Sequence, residues 1–303
     1  MRKTHEKNPD GSLKRDEEIF GGHSQQDAQE FYSFVLDNIH DETNMLRDRD
    51  PPKKSQYAPK DGTIIQNAIA YWRDYSSSSA SIIDAYFRGL DVAITRCLND
   101  SCRQELRIFQ PSDLCVLPLP SSAGPTDIYK LLESHQAVEK LDAQCETCKQ
   151  RGRTRQSKFA RLPDRLAFCL NRFSHDGSSG LSRSAANKNH TKVRFPIRNL
   201  NLNPYCAESD PSMASTKDAH FAGQMLYDCY AVTVHVGQGI NGGHYIAYVQ
   251  DDQSRDPSDW WRCNDEVVEK VKIGTSLSGD LTETMFQNGN SSAYMVFYRR
   301  QGT

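Results

Sequence analysis

The chain has 303 residues with 37 Lys+Arg against 39 Asp+Glu, a net charge of −2 that makes no electrostatic case for nucleic acid or an anionic membrane as partner. No apolar run approaches bilayer length, and the charged first twenty residues are not a signal peptide. Nine cysteines, an odd count in a chain this long, point to thiols and metal ligands in an intracellular (cytoplasmic or nuclear) protein rather than to a disulfide framework.

Residues 1–20 read as a polar leader without periodicity. From Ser24 the pattern turns helical. Ser24 sits as a cap three residues before Asp27, and Ala28, Phe31, Val35 and Ile39 recur at helical spacing as the predicted buried face. Gln26, Glu30, Ser33 and Asp37 fall on the opposite face, and the helix fades near Asp41. Residues 47–62, with two adjacent prolines, read as a loop or insertion. Residues 82–90 are helix-like and 91–96 alternate as a strand leading into Cys97. Residues 114–120 read as a strand stopped by prolines, and 128–132 as a short helix. Strand patterns follow at 166–173, 193–197, 227–236, 245–249 and 294–298. The glycine-rich residues 237–243 join two of these as a hairpin would, whereas 174–190 are polar and 209–223 and 276–292 read as surface loops. Helices first, a cysteine-bearing middle and then consecutive strands predict an α+β fold.

Two clusters carry chemistry. Cys97 and Cys102 are separated by four residues, and Cys145 and Cys148 by two, all in polar, turn-rich surroundings. Those spacings suit four thiolates closing on a structural Zn2+; the plain alternative is four unrelated buried thiols. No organic cofactor is implied. The second cluster is Gly242-Gly243-His244-Tyr245, with Asn264 twenty residues after the histidine. Two glycines let an extended peptide approach closely, and an Asn accepting from the imidazole N–H selects its tautomer, as in Cys-His-Asn proteases. Alone, the motif reads more readily as a tight turn with an incidental histidine. Asp27 and Glu30 suit a helix N-terminus through its dipole, and would also suit a basic extended peptide.

Together these segments resemble the ubiquitin-specific proteases, the papain-like thiol deubiquitinases. Residues 22–31 resemble the Gln-Gln-Asp box of that family, Leu170-Asn171-Arg172-Phe173 its Leu-Lys-Arg-Phe strand, and Val193-Arg194-Phe195-Pro196 the segment that follows. Residues 227–248 resemble its histidine box, 261–267 its Asn or acidic box, and 294–298 its closing strand. The resemblance implies a hand-like, papain-like α+β fold over residues 21–303, with thumb (21–87), zinc-ribbon fingers (88–165) and an antiparallel-sheet palm (166–303). It implies His244 as general base, Asn264 as its orienter and Asp265 beside them. Gln26, Asp27, Glu30, Gly242, Gly243 and Tyr245 would line the channel for the ubiquitin tail. Ubiquitin and ubiquitinated proteins are the implied partners, with hydrolysis of the isopeptide bond after the last ubiquitin glycine as the implied reaction.

One departure is large. The family's Gly-Asn-Thr-Cys box, source of its nucleophile, is absent, and no cysteine precedes Cys97. The expectation is therefore a protease domain whose thumb is incomplete at the N-terminus and which is inactive as this chain stands. The alternative is a non-catalytic ubiquitin-binding or scaffold protein with a zinc ribbon. A zinc-ribbon nucleic-acid binder is disfavoured by the charge balance.

Overall fold

The structure is a computed structural model that describes residues 26–48, 62–121, 124–173, 188–207, 218–239, 242–274, 281–282, 286 and 289–302. The polar leader, Ser24 and most of the 47–62 and 174–190 segments lie outside the described residues.

Helix α1 (Ala28–Thr43) is capped by Asp27, whose Oδ1 accepts from the backbone N–H of Gln29 at 2.7 Å and of Glu30 at 3.3 Å. The stripe expected to face inward is corrected by about one residue per turn. Phe31 and Ile39 are exposed, whereas Leu36 is buried and Tyr32 packs at a tilt on Phe297 with ring centroids 5.5 Å apart. The reason lies at the cap: Tyr294 Oη donates to Asp27 Oδ2 at 2.6 Å, so the helix is rotated about its axis by a fixed N-terminal anchor. Ala28 and Tyr32 then pack on Cys169, Tyr294 and Met295.

Helix α2 (Ile64–Ser76) escaped the sequence reading although its start is marked. Thr63 and Gln66 form a reciprocal capping box, with Gln66 N–H donating to Thr63 Oγ1 at 3.2 Å and Thr63 N–H to Gln66 Oε1 at 2.9 Å. The helix buries Ile65 and Ala68 in a small core with Val92, Ile94, Phe109 and Phe221. Helix α3 (Ile82–Tyr86) repeats the capping box with Ser81 and Asp84.

The strands form three sheets. Strands β1 (Gly89–Cys97), β2 (Glu105–Ser112), β5 (Glu139–Gln144) and β6 (Arg151–Arg161) make an antiparallel sheet in the order β2-β1-β6-β5. The main sheet runs β13 (Val267–Lys272), β12 (Asp259–Asn264), β11 (Gly242–Gln250), β10 (Leu226–Gly239), β15 (Ser291–Arg300), β7 (Arg165–Asn171) and β3 (Cys115–Pro118), with β9 (Leu200–Asn201) paired to β10. Short strands β14 (Leu281–Thr282), β8 (Val193–Pro196) and β4 (Thr126–Asp127) form the third, and helix α4 (Ile128–His135) closes the large core.

This is the α+β architecture anticipated, with two amendments. Within 276–292, β14 pairs with β8, and Phe286 is 1% exposed amid Phe195, Tyr248 and Trp260. Within 209–223, Phe221 is buried. A single aromatic in a polar stretch has no period, so neither burial shows in the pattern.

Candidate active site

The β10–β11 hairpin sets Val236 opposite His244, and β11 pairs with β12 so that Ala247 faces Cys263. Asn264 ends β12 opposite Val267, closed by a two-residue turn in which Asp265 takes φ 51°, a left-handed conformation that Asp tolerates. Two adjacent strands thereby bring together residues twenty apart: His244 Nε2 lies 2.5 Å from Asn264 Oδ1. An amide oxygen only accepts, so the contact places the imidazole proton on Nε2 and leaves the Nδ1 lone pair open. The His244 side chain is 43% exposed, and Asp265 Oδ2, on a largely solvated side chain, stands 3.5 Å from the same Nε2. The imidazole is thus held in one tautomer, with access from solvent.

None of the nine cysteines hydrogen-bonds to His244. Cys263 precedes Asn264 on β12, and alternation along a strand turns its side chain to the other face. Burial pushes the Cys169 and Cys206 thiols up to about 12 and that of Cys229 higher still, which keeps them protonated and poor nucleophiles.

The glycines divide their work. A Cβ on Gly243 would stand 2.4 Å from His235 Nε2 and 2.6 Å from the Val236 carbonyl, so this glycine is required by packing inside the protein. A Cβ on Gly242 would meet nothing within 4 Å. Of these two glycines, Gly242 is the one that fronts open space. Asp27 is similarly engaged, with one carboxylate oxygen on the helix N-terminus and the other on Tyr294. Glu30 is exposed and Gln26 half-buried. Tyr245 packs its ring on His235 and Tyr294, at 5.0 and 5.8 Å.

His235 had no place in the sequence reading, yet it is 1% exposed under this hairpin. Burial, with help from Lys188, Arg172 and His190, holds its imidazole down to about 4. An unfolded imidazole protonates near 6.5, so between pH 6.5 and 4 the unfolded chain binds the extra proton and stability falls with pH. Denaturant titrations at pH 6.5 and 4.5 should show the wild type losing about 2 kcal/mol more than His235→Gln. Equal losses would contradict this burial account.

At the far end of the four-stranded sheet, Cys97 and Cys102 occupy the β1–β2 tip and Cys145 and Cys148 the β5–β6 tip. Their sulfurs all lie within 4.8 Å of one another, with Cys97–Cys148 at 3.7 Å and Cys102–Cys145 at 3.8 Å. Four sulfurs about 2.3 Å from one ion in a tetrahedron stand about 3.8 Å apart, so the set fits Zn2+. Each tip repeats one device: Arg103 (φ 46°) and Lys149 (φ 60°) turn the chain just after the second cysteine. Backbone N–H groups of Cys148 and Thr147 bring the Cys145 thiol down to about 6, and that of Gln150 lowers Cys148. Arg153 stands opposite Cys97 in register, buried, with Nε and Nη2 unpaired among the described residues, which suits a thiolate centre with surplus negative charge. The two pairs are joined through β2, β3, β4, α4 and β5.

Comparison with known proteins follows the same lines. The profile of the family described as ubiquitin carboxyl-terminal hydrolase matches residues 10–298. Ubiquitin carboxyl-terminal hydrolase 2 of Homo sapiens is 30% identical over 288 residues, which cover 92% of this chain and 41% of that protein. The protein of the same name in Gallus gallus is 29% identical, covering 92% and 69%. Ubiquitin carboxyl-terminal hydrolase 4 of Saccharomyces cerevisiae strain YJM789 is 28% identical, covering 93% and 30%. Among solved structures, the Ubp8/Sgf11/Sus1/Sgf73 DUB module of SAGA bound to ubiquitin aldehyde superposes with TM-score 0.63 at 21% identity, over 95% of this chain and 52% of the matched one. The chain thus spans about two fifths of its human relative and half of its structural neighbour.

Proposed function

This chain belongs to the ubiquitin carboxyl-terminal hydrolase family, and on that footing we propose that it receives the C-terminal tail of ubiquitin beside His244 and acts in thiol-dependent protein deubiquitination. The observation that carries the reading is the 2.5 Å His244–Asn264 contact next to the open side of Gly242. In such a reaction Nδ1 of His244 takes the proton of an attacking thiol, and Asn264 keeps the ring turned toward it as the imidazolium forms. Asp265 adds a nearby negative charge to that cation. Attack on the carbonyl of the last ubiquitin glycine gives an acyl-thiol and frees the lysine amine; water then releases ubiquitin.

The thiol itself is not among the nine cysteines of this sequence, so the chain as given is a base and an orienter that bind ubiquitin without cleaving it. Cys97, Cys102, Cys145 and Cys148 hold a structural Zn2+ that fixes the two hairpin tips, in a protein of the cytoplasm or nucleus.

Two titrations test this. Ubiquitin should bind saturably, and Gly242→Phe, whose Cβ meets nothing within 4 Å, should weaken binding at least about tenfold without lowering Tm. Ubiquitin carrying a C-terminal thiol-reactive group should form no adduct. Absent binding, or binding indifferent to Gly242→Phe, removes the ubiquitin-tail reading; an adduct mapped to one of the nine cysteines identifies a nucleophile and removes the non-cleaving one.

A further inference from the structure

Beneath the hairpin that presents His244 lies a buried cation. Lys188 is 4% exposed, and its ammonium donates to three backbone carbonyls: His235 at 2.8 Å, Gly237 at 3.1 Å and Asn290 at 2.9 Å. An ammonium has three N–H donors, and here each has an acceptor. Among the described residues no carboxylate forms an ion pair with it. The acceptors belong to two separate pieces of chain, the far end of β10 and the residue just before β15.

The β10–β11 ladder is interrupted at this place. The β10–β11 register runs from Ala231 to Val236 and then shifts, resuming only at Gly239 opposite Gly242. Gly237, at φ 143°, is pressed so closely that a Cβ would meet the Gly242 carbonyl and Gly243 Cα at 2.9 Å. One backbone bond, Gly237 N–H to the Asn290 carbonyl at 3.2 Å, links this end of β10 to the residue ahead of β15, and Lys188's own N–H reaches the Gln238 carbonyl at 3.3 Å. The shift falls directly after the Val236–His244 pair.

We propose that Lys188 is a positioning residue for His244: its ammonium clamps the end of β10 to the start of β15, so the hairpin leaves the sheet in one register and His244 meets Asn264. The clamp works at His235, whose ring fills the space that Gly243 leaves open, so backbone and side-chain constraints converge on the residue before His244. This rests on His244 being the base, but its readout needs no ubiquitin.

The test is Lys188→Met in the full chain, read by histidine 15N NMR and by amide hydrogen exchange. Expected are loss of the single Nε2–H tautomer signature of His244 and at least about a tenfold fall in protection at residues 236–244, with amides at 166–170 and 294–298 changing less than about twofold. If Lys188→Met does not fold, Lys188→Gln, which keeps two N–H donors, should show a smaller local loss in the same place. An unchanged His244 tautomer, or protection lost evenly across the sheet, overturns the proposal. Wild-type ubiquitin binding is measured in parallel, so a failed substrate reading is distinguished from a failed clamp.

Discussion

A chelator that strips the proposed zinc from the four cysteines is expected to release both cysteine-bearing tips while the main sheet stays folded. Metal analysis of the native chain should find about one zinc per chain, and Cys148→Ser should lower that severalfold. After chelation, amides at 97–104 and 145–152 should exchange at near-unfolded rates, while those at 166–170 and 294–298 remain protected. The size of the effect follows from what else holds the tips. The apolar clusters lie elsewhere, and Leu98, beside Cys97, is half exposed. Without a cation the four sulfurs cannot all be thiolates. The backbone N–H of Asn99 pulls the Cys97 thiol down, yet burial and the neighbouring sulfurs together push it up to about 11. Structural zinc in small finger peptides binds with an apparent ~10–16 kcal/mol, comparable to the whole net stability of a domain at ~5–15 kcal/mol. A zinc-free native protein, or tips whose exchange ignores chelation, would refute the assignment.

Spacing within the chain singled out those cysteines, and the motif order that resembles the family singled out His244 and Asn264; the structure brings each set together. The strand runs were legible from β-branched and aromatic alternation, as in residues 227–236. The rotation of α1 was not. The apolar stripe of Ala28, Phe31, Val35 and Ile39 is a genuine helical period, but the Asp27–Tyr294 bond joins residues far apart in sequence and decides which side faces in. Helix α2 was missed for a different reason: its signal was present in Thr63 and Gln66, directly after a segment read as loop. Gly242 and Gly243 read as a matched pair in the sequence, yet only the structure separates the one that packs on His235 from the one that faces open space. Lys188 carried no signal at all. Its partners are carbonyls, which every residue has, so no side-chain pattern marks it.

Arg172→Met is expected to cost about 3 kcal/mol or more, and the reason explains why an arginine follows Leu170-Asn171. Its side chain is fully buried, with Nε donating to the Ala293 carbonyl at 2.6 Å and Nη1 to those of Asn189 and Thr191 at 2.8 and 2.9 Å. Methionine fills similar volume but leaves the Ala293 and Thr191 carbonyls stranded in buried positions, at about 1–3 kcal/mol each before relaxation, and the part-buried Asn189 carbonyl without this donor. For a domain of this size Tm should fall by about 6 °C or more, measured by calorimetry. Arg172→Lys keeps the charge but loses the planar fork that reaches three acceptors on two segments, so it should recover only a minor part. A Tm within about 1 °C of wild type for Arg172→Met would show that the contacts are not energetically coupled to the fold. The two buried cations also act in series. Arg172 ties β15 to residues 189 and 191, and Lys188, next in that segment, ties it to the hairpin bearing His244. Removing Arg172 should therefore lower global stability and loosen the histidine hairpin together. Removing Lys188 should loosen the hairpin with far less effect on the sheet, and that difference in reach is what separates an anchor of the fold from an anchor of the site.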